Sequence, residues 1–158
     1  MPQNEKTPLD LVSLAPEAEQ TIARSFAELA ERLGLTPAIR PMLRGKWKCA
    51  YSRRKPARVL FTQEYGPEGW RLKANLWHMD EYIGEVESCS EAIRHALTAA
   101  YDCRSCNVKC QGGAKFTLSG VSYGKCTGNC YYFQDLTGAE WQSVGRLIEY
   151  EMRASGRG

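Results

Sequence analysis

The chain has 158 residues, with 43% hydrophobic and 25% charged side chains and a formal net charge of +3. That length bounds it to one domain of ordinary size, and the composition excludes an intrinsically disordered, collagen-like or coiled-coil chain. No apolar run approaches the roughly 18 residues that cross a bilayer, which excludes a membrane-spanning helix.

Residues 1–15 carry Pro2 and Pro8 without apolar periodicity and read as a flexible lead-in. Nothing near Met1 resembles a secretory signal, so a reducing cytoplasm is the expected compartment. From Pro16 onward Ile22, Phe26, Leu29, Ala30 and Leu33 recur at helical spacing with Gly34 behind them as a C-cap, predicting a helix over 16–33. Pro37 and Pro41 then break the chain. Trp47, Cys49 and Tyr51 alternate with Lys46, Lys48 and Ala50; a second strand covers about 58–64; and Trp70, Leu72, Ala74 and Leu76 alternate with Arg71, Lys73, Asn75 and Trp77. Tight turns between them make a three-strand antiparallel meander.

Ser88-x-x-Glu91 has capping-box spacing ahead of Ile93, Ala96, Leu97, Ala100 and Tyr101, predicting a second helix. Lys115 to Lys125 reads as a hairpin turning at Ser119-Gly120. Thr137-x-x-Glu140 opens a final helix through Trp141, Val144, Leu147, Ile148 and Met152, and residues 154–158 are a polar tail. The expectation is one α+β domain over 16–153, with an antiparallel sheet (the meander plus the C-terminal hairpin), about three helices and a cysteine-rich zinc knuckle.

Five of the seven cysteines lie at Cys103-x2-Cys106-x3-Cys110 and, fifteen residues on, at Cys126-x3-Cys130. A short loop supplies three thiols, and a hairpin of two five-residue strands returns the chain with a fourth. Structural zinc takes four ligands in a tetrahedron. The first choice is Cys103, Cys106, Cys110 and Cys126, with Cys130 as the substitute; Lys109 and Lys125 would offset the thiolate charge. Free or oxidised thiols, an iron–sulfur cluster and a catalytic dithiol are the alternatives. Cys49 and Cys89 read as small buried hydrophobes, and neither His78 nor His95 has a motif behind it.

The run from Cys103 to Cys110, the hairpin Phe116-Thr-Leu-Ser-Gly-Val-Ser-Tyr-Gly-Lys-Cys126, Tyr132-Phe133 and the helix start Leu136-Thr-Gly-Ala-Glu-Trp141 resemble a family of small uncharacterised bacterial domains. Such domains are distantly similar to gyrase-inhibitor-like effector-binding domains. The resemblance covers about 50 residues. It implies that Cys103, Cys106 and Cys110 pair with Cys126, and it implies binding of a small apolar or cationic molecule; it carries no catalytic residue, and Cys130 departs from its pattern.

Eight basic residues and no acid occur between Ile39 and Gln63. Lys46, Lys48, Arg58, Arg71 and Lys73 would form a basic sheet face for a nucleic-acid or protein partner. The same alternation sends Trp47, Tyr51, Phe61 and Trp70 to the other side, where they fill a core or line a ligand cavity. No Ser–His–Asp order, phosphate loop or paired-carboxylate motif is present, which argues against an enzyme, with a thiol- or metal-dependent activity the exception. The function expected first is a ligand-binding or regulatory module with structural zinc, and second a nucleic-acid or protein interaction module.

Overall fold

The computed structural model describes residues 6–103, 113–126 and 131–156. The chain is α+β, with a five-stranded antiparallel sheet of order β1-β2-β3-β4-β7 and a separate two-stranded sheet, β5-β6. It divides into two compact units, Met1–Leu72 and Lys73–Gly158.

The first unit opens with helix α1 (Pro8–Val12), inside the stretch expected to be loose. Thr7 caps it, forming a capping box with Asp10, and Pro8 sits in the first turn, where its missing N–H goes unused. Leu11 and Val12 are buried. Helix α2 (Gln20–Arg32) follows a short 3-10 turn and buries Ala23, Phe26, Ala27, Leu29 and Ala30. It ends as predicted: Gly34 has φ 71°, its N–H reaches Glu31 O, and Leu35 N–H reaches Ala30 O, the two bonds of a Schellman motif.

The strands are β1 (Thr36–Pro41), β2 (Trp47–Arg54), β3 (Ala57–Gly66) and β4 (Gly69–Ala74). β1 runs through Pro37 and Pro41, where the sequence predicts a break; prolines are tolerated there because β1 is an edge strand. It pairs antiparallel with β2, and β2 with β3, with a register shift between Tyr51 and Ser52. The core face carries Cys49, Tyr51, Phe61, Gln63, Trp70 and Leu72, all at most 3% exposed. Phe26 of α2 meets Phe61 edge-on at 6.0 Å and lies tilted to Trp70 at 6.2 Å, while Tyr51 stacks on Phe61 at 4.7 Å.

The second unit contains α3 (Ile83–Glu87), α4 (Glu91–Thr98), β5 (Ala114–Leu118), β6 (Val121–Lys125), β7 (Tyr131–Phe133) and α5 (Gly138–Ser155). The start of α4 is two residues later than the sequence spacing suggested. Ser90 caps it through Ile93 N–H, whereas Ser88 closes α3. The predicted hairpin is present: β5 and β6 join at Ser119 (φ 50°) and Gly120 (φ 80°), the two left-handed residues of a type I′ turn.

Helix α5 starts on the predicted capping box of Thr137 and Glu140. The Glu140 carboxylate also accepts a hydrogen bond from the hydroxyl of Ser90, so one carboxylate serves the N-termini of α4 and α5. The Ser90 hydroxyl and the Thr137 N–H hold its pKa below the ordinary value. A depressed pKa stabilises the fold above the unfolded value, near about 4.3, and that contribution disappears as pH falls through the folded value. Glu140→Gln should therefore lower the melting temperature at pH 7, with the gap to wild type closing below about pH 4 in thermal melts across a pH series.

Candidate functional site

Three groupings of side chains have chemistry beyond packing. The first surrounds the cysteines. Cys103 N–H donates to Gly124 O and Cys126 N–H to Tyr101 O, both at 2.8 Å, and Asp102 bridges Lys125. This bonding makes Asp102 and Lys125 a non-hydrogen-bonded antiparallel pair, whose side chains stand close on one face. Cys103 and Cys126 therefore share the opposite face as diagonal neighbours. Such a diagonal spans about 7–8 Å, long for a disulfide but compatible with two sulfurs on one metal ion. Gly113 completes the corner: a Cβ there would lie 2.7 Å from Cys103 Cβ and 2.0 Å from Lys125 O, so only glycine lets the chain pass. The residues flanking 104–112 thus lie side by side.

Lys125 is used differently from the expectation that its charge would offset thiolates. It is 3% exposed, and its Nζ donates to Thr98 O (2.6 Å), Ala100 O (3.0 Å) and Asp102 Oδ1 (2.8 Å). The ammonium closes the C-terminal end of α4, where a cation suits the helix dipole, and ties the residues leading to Cys103 onto β6. Cys106, Cys110, Lys109 and Cys130 lie outside the described residues. Among the described residues no three His, Cys, Asp or Glu side chains converge as metal ligands. Cys49 is fully buried and Cys89 half-buried; burial raises both thiol pKa values, as suits small hydrophobes rather than nucleophiles.

The second grouping is a cavity of about 290 Å³ in the first unit, between α1, α2 and the β1–β2 edge. Its walls include Leu9, Ala27, Leu35, Pro37 and Tyr51, with Glu28 and Glu31 also lining it. Of the aromatics expected to line a ligand site, Tyr51 borders this cavity. Phe61 and Trp70 are packed in the core, and Trp47 lies half-buried with Lys6 Nζ 5.1 Å from its ring. Tyr51 is 1% exposed, and burial followed by the nearby Cys49 and Tyr65 raises its pKa. Its hydroxyl interacts with Cys49 and Gln63 in the core, and the hydroxyl of Tyr65 makes no standard hydrogen bond among the described residues. Buried polar atoms in native proteins seldom lack partners.

The predicted basic face is only partly assembled. Lys46, Lys48, Arg71 and Lys73 are half-buried. Arg71 pairs with Glu64 at 2.9 Å, and Lys73 lies over the ring of Tyr132 at 5.8 Å. The register shift sets Arg58 opposite Arg53, out of the row formed by Lys48 and Glu64, because a bulge inverts the alternation on which the sequence argument relied.

The third grouping was not anticipated. Glu151 of α5 is fully buried; its Oε1 accepts from Tyr82 OH (2.7 Å) and His78 N–H (2.9 Å), and its Oε2 lies 2.6 Å from His78 Nδ1. The carboxylate orients the imidazole through Nδ1, while the His78 side chain is 33% exposed. Burial and then the Glu151 charge raise the pKa of Tyr82, which stays a donor. The sequence held one signal: Glu151 continues the apolar stripe of Val144, Leu147 and Ile148, and an acid at such a position requires buried partners. Comparison with known protein families, curated proteins and solved structures gives no match.

Proposed function

We propose that the chain is a binding module for a small apolar or cationic molecule, with a structural zinc ion holding the second unit. The observation that carries this reading is the cavity beside Tyr51. Its volume, near the lower end for ligand sites, suits a small ligand; its apolar walls supply the contact, and Glu28 and Glu31 supply charge complementary to a cation. The zinc would be held by Cys103, Cys106, Cys110 and Cys126, with Cys130 as substitute, and it would be a closed site that adds folding energy rather than catalysis. Its support is the shared face of Cys103 and Cys126 and the glycine corner at Gly113.

Binding of tetraphenylphosphonium, an apolar cation, tests the first part by calorimetry. Wild type is expected to bind, and the surface double variant Glu28→Lys, Glu31→Lys to bind at least about tenfold more weakly while melting normally. No binding by wild type, or equal binding by the variant, rejects the cavity. Elemental analysis of freshly purified, reduced protein tests the second part, with about one zinc per chain expected. Metal-free folded protein rejects it.

A further inference from the structure

The hairpin of β1 and β2 has a surface that the ligand cavity does not use. Its tip runs from Met42 to Lys46, closed by Met42 N–H to Lys46 O (2.7 Å) and Lys46 N–H to Leu43 O (3.4 Å). Leu43 at that tip is 87% exposed. Next to it Arg44 has φ 61° and ψ 36°, a left-handed backbone that non-glycine residues rarely adopt and that clusters at functional turns. Arg40 and Arg44 are exposed, and Lys46 and Lys48 half-exposed. Among the described residues none of the four forms an ion pair. Arg40 lies directly opposite Lys48, a like-charge pair, and on the other side of Lys48 stands Glu64, which pairs with Arg71.

We propose that this hairpin is a docking arm for duplex nucleic acid. Arg40, Arg44, Lys46 and Lys48 would contact phosphates, and Leu43 would press on the groove floor. A two-stranded ribbon fits the major groove, which is about 12 Å wide. No acid occurs from Ile39 to Gln63, and the nearest in the sheet, Glu64 opposite Lys48, is paired with Arg71. A single strand would need an open aromatic platform, but Lys6 lies over the nearest aromatic ring, Trp47. An anionic bilayer would reward a broad apolar surface, whereas the tip exposes one large apolar side chain, Leu43.

The test is fluorescence anisotropy of a labelled mixed-sequence DNA duplex about two helical turns long, titrated with the full chain at about 50 and 200 mM salt. Wild type is expected to bind at the lower salt, with a log–log salt slope of magnitude about 3–4 for four phosphate contacts. Arg40→Ala with Lys48→Ala should reduce that magnitude by about 2. Leu43→Ser should weaken binding at unchanged slope, and Lys115→Ala, on the exposed side of β5, should change neither. The proposal is overturned by no duplex binding at low salt, by an unchanged slope in the double variant, or by an equal loss in Lys115→Ala. Tighter binding to a single strand or to anionic phospholipid vesicles than to the duplex overturns it as well.

Discussion

Replacing Glu151 with alanine is expected to destabilise the protein by about 3–5 kcal/mol, because the substitution removes a buried acceptor that three polar groups share. Three hydrogen-bonding groups lose their partner: the Tyr82 hydroxyl, the His78 N–H and His78 Nδ1. The α5 stripe also loses volume at a fully buried position. Glu151→Gln keeps the shape and one carbonyl oxygen, so Tyr82 and the His78 N–H can still donate, and its effect should be smaller. For a chain of this size each kcal/mol corresponds to about 2–4 °C in melting temperature. Urea denaturation followed by circular dichroism checks both variants. A loss of less than about 1 kcal/mol in Glu151→Ala would mean that the network contributes little net stability.

The second large effect is expected at Lys125. Lys125→Ala should destabilise by about 2–4 kcal/mol, since the carbonyl of the last residue of α4, that of Ala100 just beyond it and the Asp102 carboxylate lose a charged donor at once. Asp102 is mostly exposed and can be rehydrated, so most of the loss arises at Thr98 O and Ala100 O. Those bonds hold the ladder that carries Cys103 and Cys126. The same substitution should therefore speed extraction of the proposed zinc by a chelator, read with a metal-sensitive dye. Stability lost without any change in extraction rate would uncouple the lysine from the thiols.

Much of the fold was legible wherever local chemistry and tertiary burial agree. The Ser119-Gly120 turn, the Gly34 cap and the Thr137–Glu140 capping box each follow from backbone or hydrogen-bond rules that act within a few residues. The alternation of Trp70, Leu72 and Ala74 was equally readable, because one face of β4 is buried. What escaped depends on partners distant in sequence. Only Ile39 of β1 is even half-buried, so no periodic signal marks it. β7 has three residues, too few for a pattern. The bulge at Tyr51 and Ser52, which moved Arg58 out of the basic row, leaves no mark on hydropathy. Helix α1 is different: its capping box and Pro8 were in plain view, but five residues give too little periodicity to outweigh a proline-bearing N-terminus. For the candidate sites, thiol spacing is legible in the sequence, whereas the cavity beside Tyr51 arises from the meeting of α1, α2 and a strand edge, which no local motif encodes.

The two prolines of β1 also bear on self-association. A proline in an edge strand sits with its nitrogen turned away from the neighbouring strand. Residues 37, 39 and 41 share that direction, so of the three backbone nitrogens on the open side of the sheet only that of Ile39 carries a hydrogen. A second chain arriving to extend the sheet would find a single donor where a strand of this length normally offers three. Edge-to-edge pairing of copies through β1 is thereby disfavoured, despite an edge whose side chains leave it open to solvent.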